Sequence, residues 1–244
     1  MTAVSVPAVA AVVVGSRGGA RLARSLESVR WAGERIVLDP AGRLAAMPLP
    51  DGVRRVSELA MATTAPWLLL LEEQETVLPS FAPAVVAAIA RPDGPRAYRV
   101  AQEVTVDGAT FRLPGAPVRL VRRVGSDVVL RFRLGVELRS PGGPAPVLGV
   151  PLAVAASDTL AAAVEDLDAD TASIAAILAA RGVRPRLWYL AVLPLVAAAR
   201  ALVAAGGGGG FETRAALVVF GAYRTLLAYA KLWELRRVAG AAYP

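Results

Sequence analysis

Apolar residues in the first third of the chain fall into short dense runs, separated by glycine turns and by stretches with one apolar helical face. Ala8 to Val14 is an unbroken apolar run dominated by β-branched valine, of a length that suits a fully buried strand. Gly15-Ser16-Arg17-Gly18-Gly19 follows, and then Ala20 to Val29, where Leu22, Leu26 and Val29 recur on one face of a helix. Arg35 to Leu38 is a second short strand, ending at Asp39 and the turn Pro40-Ala41-Gly42. Strand, glycine turn, helix and strand in this order describe a βαβ unit, hence a parallel sheet with a right-handed crossover. A helical stretch from Val56 to Thr63 is expected next. It leads into Trp67-Leu68-Leu69-Leu70-Leu71, the most hydrophobic strand, which stops at Glu72-Glu73-Gln74-Glu75. Pro79 to Ala90 is a further helix.

From Ala97 to Leu138 the period shifts toward two. Antiparallel strands are expected around Tyr98 to Val106, Val118 to Arg123 and Val128 to Leu138. A proline- and glycine-rich loop, Ser140 to Pro146, precedes a helix over Asp158 to Ala180. Two more apolar runs close the chain, Leu187 to Ala205 and Ala215 to Ala230, with Gly206 to Gly210 between them and Arg200 and Arg224 inside them. Neither reaches the roughly 20 uncharged residues of a membrane span. With Trp188 and Trp233 and arginines alongside, they describe either an interfacial helix pair on a membrane surface or a buried hairpin or homodimer interface. The expected organisation is an α/β domain over residues 1–150 and a helical region over 151–244.

Composition narrows the chemistry by absence. At 55% hydrophobic and 19% charged, the 244 residues have ample apolar surface to bury, which excludes disorder. There is no cysteine, which removes disulfides and thiolate metal sites. There is no histidine, which removes Ser-His-Asp catalysis and histidine-ligated metals. Any metal must therefore be hard and oxygen-bound, and any general base a carboxylate or a lysine. The net charge of 27 − 20 = +7 suits an anionic partner. Aromatics are 6% and do not interleave with basic runs, so nucleic acid is not that partner. No basic segment precedes the first apolar run, which reads as a strand and not a secretory signal; a cytoplasmic location is expected.

Four places carry candidate chemistry. Backbone N–H groups of Gly15 to Gly19 open a helix and can cradle phosphate, with Ser16 and Arg17 beside it; an ordinary tight turn is the alternative, since neither G-x-G-x-x-G nor a Walker lysine is present. Asp39 lies just past a parallel strand, where an acidic group commonly takes ribose hydroxyls, or else it is a turn residue. Glu72 and Gln74 alternate along a strand end and so point to one side. Together they can hold a divalent cation that neutralises a leaving diphosphate, unless the cluster is a solvated turn. Glu137, between Val136 and Leu138, is the lone carboxylate best placed as a general base; the alternative is a surface residue paired with Arg133 or Arg139.

These residues share a resemblance. Leu22 to Leu38, LARSLESVRWAGERIVL, resembles the opening of family 2 glycosyltransferases of the lipopolysaccharide-core type, with Asp39 in the place of the aspartate that contacts the nucleotide. WLLLLEEQETVLPS resembles their strand bearing a metal-binding Asp-x-Asp, PVRLVRR from Pro117 to Arg123 resembles their RLFRR strand, and Gly221 to Arg237 resembles their C-terminal helix. The resemblance implies a GT-A fold of the α/β class, a mixed sheet with flanking helices and a C-terminal helical appendage. It implies sugar transfer from a nucleotide-diphosphate donor to a lipid-linked or polysaccharide acceptor in cell-envelope glycan synthesis, at the inner face of the membrane. It also implies Mg²⁺ or Mn²⁺ at Glu72 and Gln74, and Arg122 or Arg123 on the donor phosphates. The pattern departs in places: Asp-x-Asp reads Glu72-Glu73-Gln74, the His-Glu pair reads Val136-Glu137, and the later histidine is Val154. A catalytically inactive relative serving as scaffold or partner is the second reading. An anionic-lipid-binding module built on the basic C-terminal helices is a third.

Overall fold

The computed structural model describes residues 6–59, 63–91, 93–106, 109–113, 116–123, 130–132, 136–138, 145–155, 160–204 and 211–241. The chain divides into two compact units, Met1–Ala156 and Ser157–Pro244.

The first unit opens with β1 (Val6–Val14), α1 (Gly19–Ser28) and β2 (Ala32–Leu38), the expected βαβ unit. There follow β3 (Val53–Val56), β4 (Trp67–Glu72), β5 (Glu75–Val77), α2 (Phe81–Ile89), β6 (Ala97–Val106), β7 (Ala109–Arg112), β8 (Val118–Arg122), β9 (Leu130–Phe132), β10 (Val136–Leu138) and β11 (Val147–Val154). Among the described residues, nine strands form one sheet in the order β3-β2-β1-β4-β8-β6-β11-β5, with β7 beside β6. β3, β2, β1 and β4 run parallel, and β8 runs antiparallel between β4 and β6. The fold is thus α/β with a mixed sheet and flanking helices, as expected.

Both faces of the central strands are buried, which is why their sequences read as continuous apolar runs and do not alternate. Val9, Ala11, Val13, Trp67, Leu69 and Leu71 belong to one core with Leu22 and Leu26 of α1 and Phe81 and Val85 of α2. Ala10, Val12, Val14, Leu68, Leu70 and Glu72 point the other way and are buried as well. Glu72 is the single charge in that second row.

Three readings of the sequence are corrected. Val56 does not begin a helix; it ends the edge strand β3, which lies parallel to β2 from Arg35↔Val53 to Leu38↔Val56, and residues 60–62 are outside the described ones. The expected strand Val128 to Leu138 is two short strands, β9 and β10, paired antiparallel. β11 was not foreseen: Gly149 and Pro151 resemble loop punctuation, yet the pairing with β6 absorbs them in a register shift between Leu148 and Leu152. Because β11 pairs with both β6 and β5, the sheet unit continues past residue 150.

The second unit consists of α3 (Leu160–Ala180), α4 (Leu187–Ala204) and α5 (Phe211–Ala241). Its buried apolar residues include the small Ala169, Ala175, Ala197 and Ala228 and the larger Ile174, Leu178 and Leu232. Arg224 pairs with Asp170 at 2.6 Å and Lys231 with Asp168 at 2.6 Å, tying α5 to α3. Among the described residues, no helix is long and apolar enough to cross a membrane.

Candidate functional site

Parallel register decides which residues share the sheet edge. Val14 lies opposite both Leu38 and Glu72, so β1, β2 and β4 end level with one another. Ser16, Asp39 and the Glu72–Glu75 turn therefore leave the sheet on the same side, as the sequence leads one to expect. What those side chains do there differs from the expectation.

Three of the N–H groups expected to cradle phosphate are engaged from within. The Glu73 carboxylate accepts the backbone N–H of Ser16 at 2.7 Å, of Arg17 at 3.0 and 3.1 Å, and of Gly18 at 3.1 Å. A carboxylate is the natural filling for an anion nest at a helix N-terminus, and here the chain supplies its own. Gly18 has φ +78°, which favours glycine, and a Cβ there would lie 2.4 Å from Met47 Sδ. A Cβ on Gly15 would lie 2.4 Å from Leu44 Cδ1. Leu44 and Met47 thus cover the glycine loop directly. Arg55 pins that cover, donating from Nη1 to the Ala45 carbonyl at 2.8 Å and from Nη2 to that of Met47.

Asp39 holds the same cover from below. It is buried, and its carboxylate accepts the N–H of Arg43 at 3.0 Å and of Leu44 at 2.8 Å. Its own N–H donates to Val56, and Gly42 donates back to its carbonyl. In the structure Asp39 organises the 39–44 turn.

Glu72 and Gln74 do converge: the Gln74 amide donates to Glu72 Oε2 at 2.9 Å. Further contacts come from Arg119 of β8. Its Nη2 lies 3.0 Å from Glu72 Oε1 and 2.6 Å from Glu75 Oε1, and all three side chains are buried. Glu75 also accepts the backbone N–H of Glu72 at 2.7 Å and the amide of Gln102. Burial pushes the Glu75 carboxyl above its ordinary value, a shift that the Arg119 charge opposes and the Glu72 charge reinforces. The cluster is a buried ion pair and not a solvated turn.

The divalent cation implied by the resemblance does not fit this donor set. Both oxygens of Glu72 accept N–H donors, Glu75 accepts three, and Gln74 presents its amide nitrogen to Glu72. Among the described residues no three acidic side chains form a metal-holding group.

Arg122 and Arg123 are not brought to this edge. Arg122 pairs with Trp67, at the start of β4, about 17 Å along the strand from Glu72 at ~3.3 Å per residue. Arg123 donates to the Thr63 carbonyl. The antiparallel direction of β8 carries both to the far end of the sheet, so the expected phosphate role does not match their position. Glu137 pairs through its backbone with Arg131; its side chain lies outside the described residues, as do Arg133 and Arg139. A depression of about 480 Å³, lined by Ala84, Ala88, Arg91, Tyr98, Val147 and Leu148 among others, also lies away from the acidic edge.

Arg119 was missed in the sequence, although a signal was present. An arginine between Val118, Leu120 and Val121 in a central strand has to find a buried partner.

No family model and no curated protein matches the sequence. Two solved structures are similar to it over most of its length. S. aureus TarS 1-349 shares 10% identity at a TM-score of 0.36, covering 95% of this chain and 91% of that one. The mannosyltransferase PcManGT from Pyrobaculum calidifontis, in complex with GDP-Man and Mn²⁺, shares 13% identity at a TM-score of 0.37, covering 94% of this chain and 86% of that one.

Proposed function

We propose that the α/β unit is a GT-A-type glycosyltransferase scaffold whose donor cleft is filled by its own side chains, and that it serves as a non-catalytic scaffold or partner protein. The observation that carries this reading is Glu73, whose carboxylate accepts the three N–H groups a donor phosphate would need. Asp39, engaged with Arg43 and Leu44, and the cover of Leu44 and Met47 over the glycines point the same way. The order of the strands and the four matching segments support the lineage.

A second reading is sugar transfer from a nucleotide donor to a lipid-linked or polysaccharide acceptor of the cell envelope. One observation favours it: the tips of β1, β2 and β4 are level, so opening the 39–47 cover would expose them together.

Calorimetry with UDP-, GDP- and dTDP-sugars, with and without Mn²⁺, separates the two. The scaffold reading expects no heat of binding at millimolar donor. Saturable binding that Asp39→Asn weakens would overturn it in favour of the transferase.

For the helical unit we propose contact with an acidic membrane face. Arg181, Arg184 and Arg186 are exposed immediately before Leu187 and Trp188, which are exposed too. Cations beside apolar and aromatic side chains suit an anionic headgroup layer.

A further inference from the structure

The Arg119 guanidinium lies between Glu72, which the resemblance would assign to a metal, and Glu75. One nitrogen, Nη2, is 3.0 Å from Glu72 Oε1 and 2.6 Å from Glu75 Oε1. A hard cation such as Ca²⁺ binds carboxylate oxygens at about 2.3–2.6 Å, so this nitrogen occupies nearly the point such an ion would take. The surroundings reinforce the comparison. Glu72 and Glu75 are buried, and two side-chain amides, Gln74 and Gln102, close on the same carboxylates. Each amide carries a carbonyl oxygen that a half-turn of the group would present in place of its nitrogen. Burying two carboxylates side by side is costly unless a cation pairs them or one takes up a proton; in this chain the group between them is a guanidinium.

We propose that Arg119 is a built-in replacement for a divalent cation, so that the native unit takes up no metal at this edge, and that Glu72, Glu75 and Gln102 form a latent oxygen site which loss of the guanidinium opens to a hard divalent ion. The inference does not depend on the scaffold reading. It concerns what neutralises the carboxylates, and its readout involves no nucleotide.

The experiment is a thermal-unfolding series on the full chain with Ca²⁺, Mn²⁺ or NaCl at matched ionic strength. For the native protein, millimolar Ca²⁺ or Mn²⁺ is expected to leave Tm where NaCl leaves it. Arg119→Ala is expected to lower Tm by roughly 10 °C, as removal of one partner from a buried pair does in a chain of this size. Millimolar Ca²⁺ or Mn²⁺, but not NaCl, should then restore part of the loss, and adding Glu75→Gln should abolish that restoration. If Arg119→Ala does not fold alone, recovery of native circular dichroism on refolding in Ca²⁺ supports the proposal and continued failure overturns it. A divalent-specific rise in native Tm that disappears in Glu72→Gln would also overturn it, as would a folded Arg119→Ala indifferent to divalent ions.

Discussion

A carboxylate that accepts three adjacent backbone N–H groups satisfies donors that a loop leading into a helix otherwise leaves to water or to a bound anion. Glu73 does this for Ser16, Arg17 and Gly18, so its removal leaves those groups without that acceptor at a part-buried site. Glu73→Ala is expected to lower unfolding stability by about 1–3 kcal/mol. Glu73→Gln, whose amide oxygen still accepts, should cost less, and urea denaturation of both variants checks the order. If neither variant moves the midpoint, the contact is not holding the loop. Much of this edge was legible in the sequence. Asp39 follows a strand end, and Glu72 and Gln74 alternate along one, which are local facts. Glu73 has the opposite parity from Glu72, and its partner Ser16 lies 57 residues away, so no local pattern could pair them. The sequence thus located the acidic tips, while long-range pairing determined that they are occupied.

Strands β4, β5 and β8 meet around two buried acids and one buried arginine, and this makes the edge sensitive to pH. Burial raises the folded-state pKa of Glu75 above its ordinary 4.5, with Arg119 pulling against the shift. The folded protein therefore binds that proton more tightly than the unfolded chain does. The resulting stability is fully present below the unfolded value and is lost as pH rises through the raised one. Glu75→Gln removes the titration. The stability of the native protein relative to Glu75→Gln should be greatest at and below pH 4.5 and decline as the pH is raised above it, as read from paired urea midpoints over a pH series. A difference that is flat, or that grows with pH, would mean the Arg119 charge dominates over burial. At this scale the parallel half was readable, because its runs are apolar on both faces and of strand length. β3 was misread since Val53-Arg54-Arg55-Val56 has no such run; its placement comes from pairing with β2 and from an ion pair between Arg54 and Glu34 at 3.0 Å. β11 was missed because Gly149 and Pro151 look like breakers until a neighbouring strand absorbs the irregularity.

The division into a sheet unit and a helical unit follows from a change of composition that any reading of the sequence meets, with the boundary moved a few residues by β11. What the second unit contacts is a question of charge and exposed apolar area. On α4, Trp188, Val192, Leu195 and Leu202 are exposed at helical spacing and so share one face. The exposed Arg181, Arg184 and Arg186 lie just before that face, and each arginine near an acidic leaflet contributes about 1 kcal/mol. The chain should float with vesicles containing phosphatidylserine and stay behind with neutral ones, and raising the salt should weaken the association as the Debye length shrinks. Reversing two charges, Arg184→Glu with Arg186→Glu, removes at least ~2 kcal/mol of attraction, roughly a thirtyfold fall in partitioning. Trp188→Ala should weaken binding to acidic vesicles without changing its salt dependence, because it removes apolar insertion and leaves the cations. Equal flotation on neutral and acidic vesicles would make the arginines bystanders. No flotation at all, together with a dimer in sedimentation that Leu195→Glu dissociates, would assign the α4 face to a second copy of this chain.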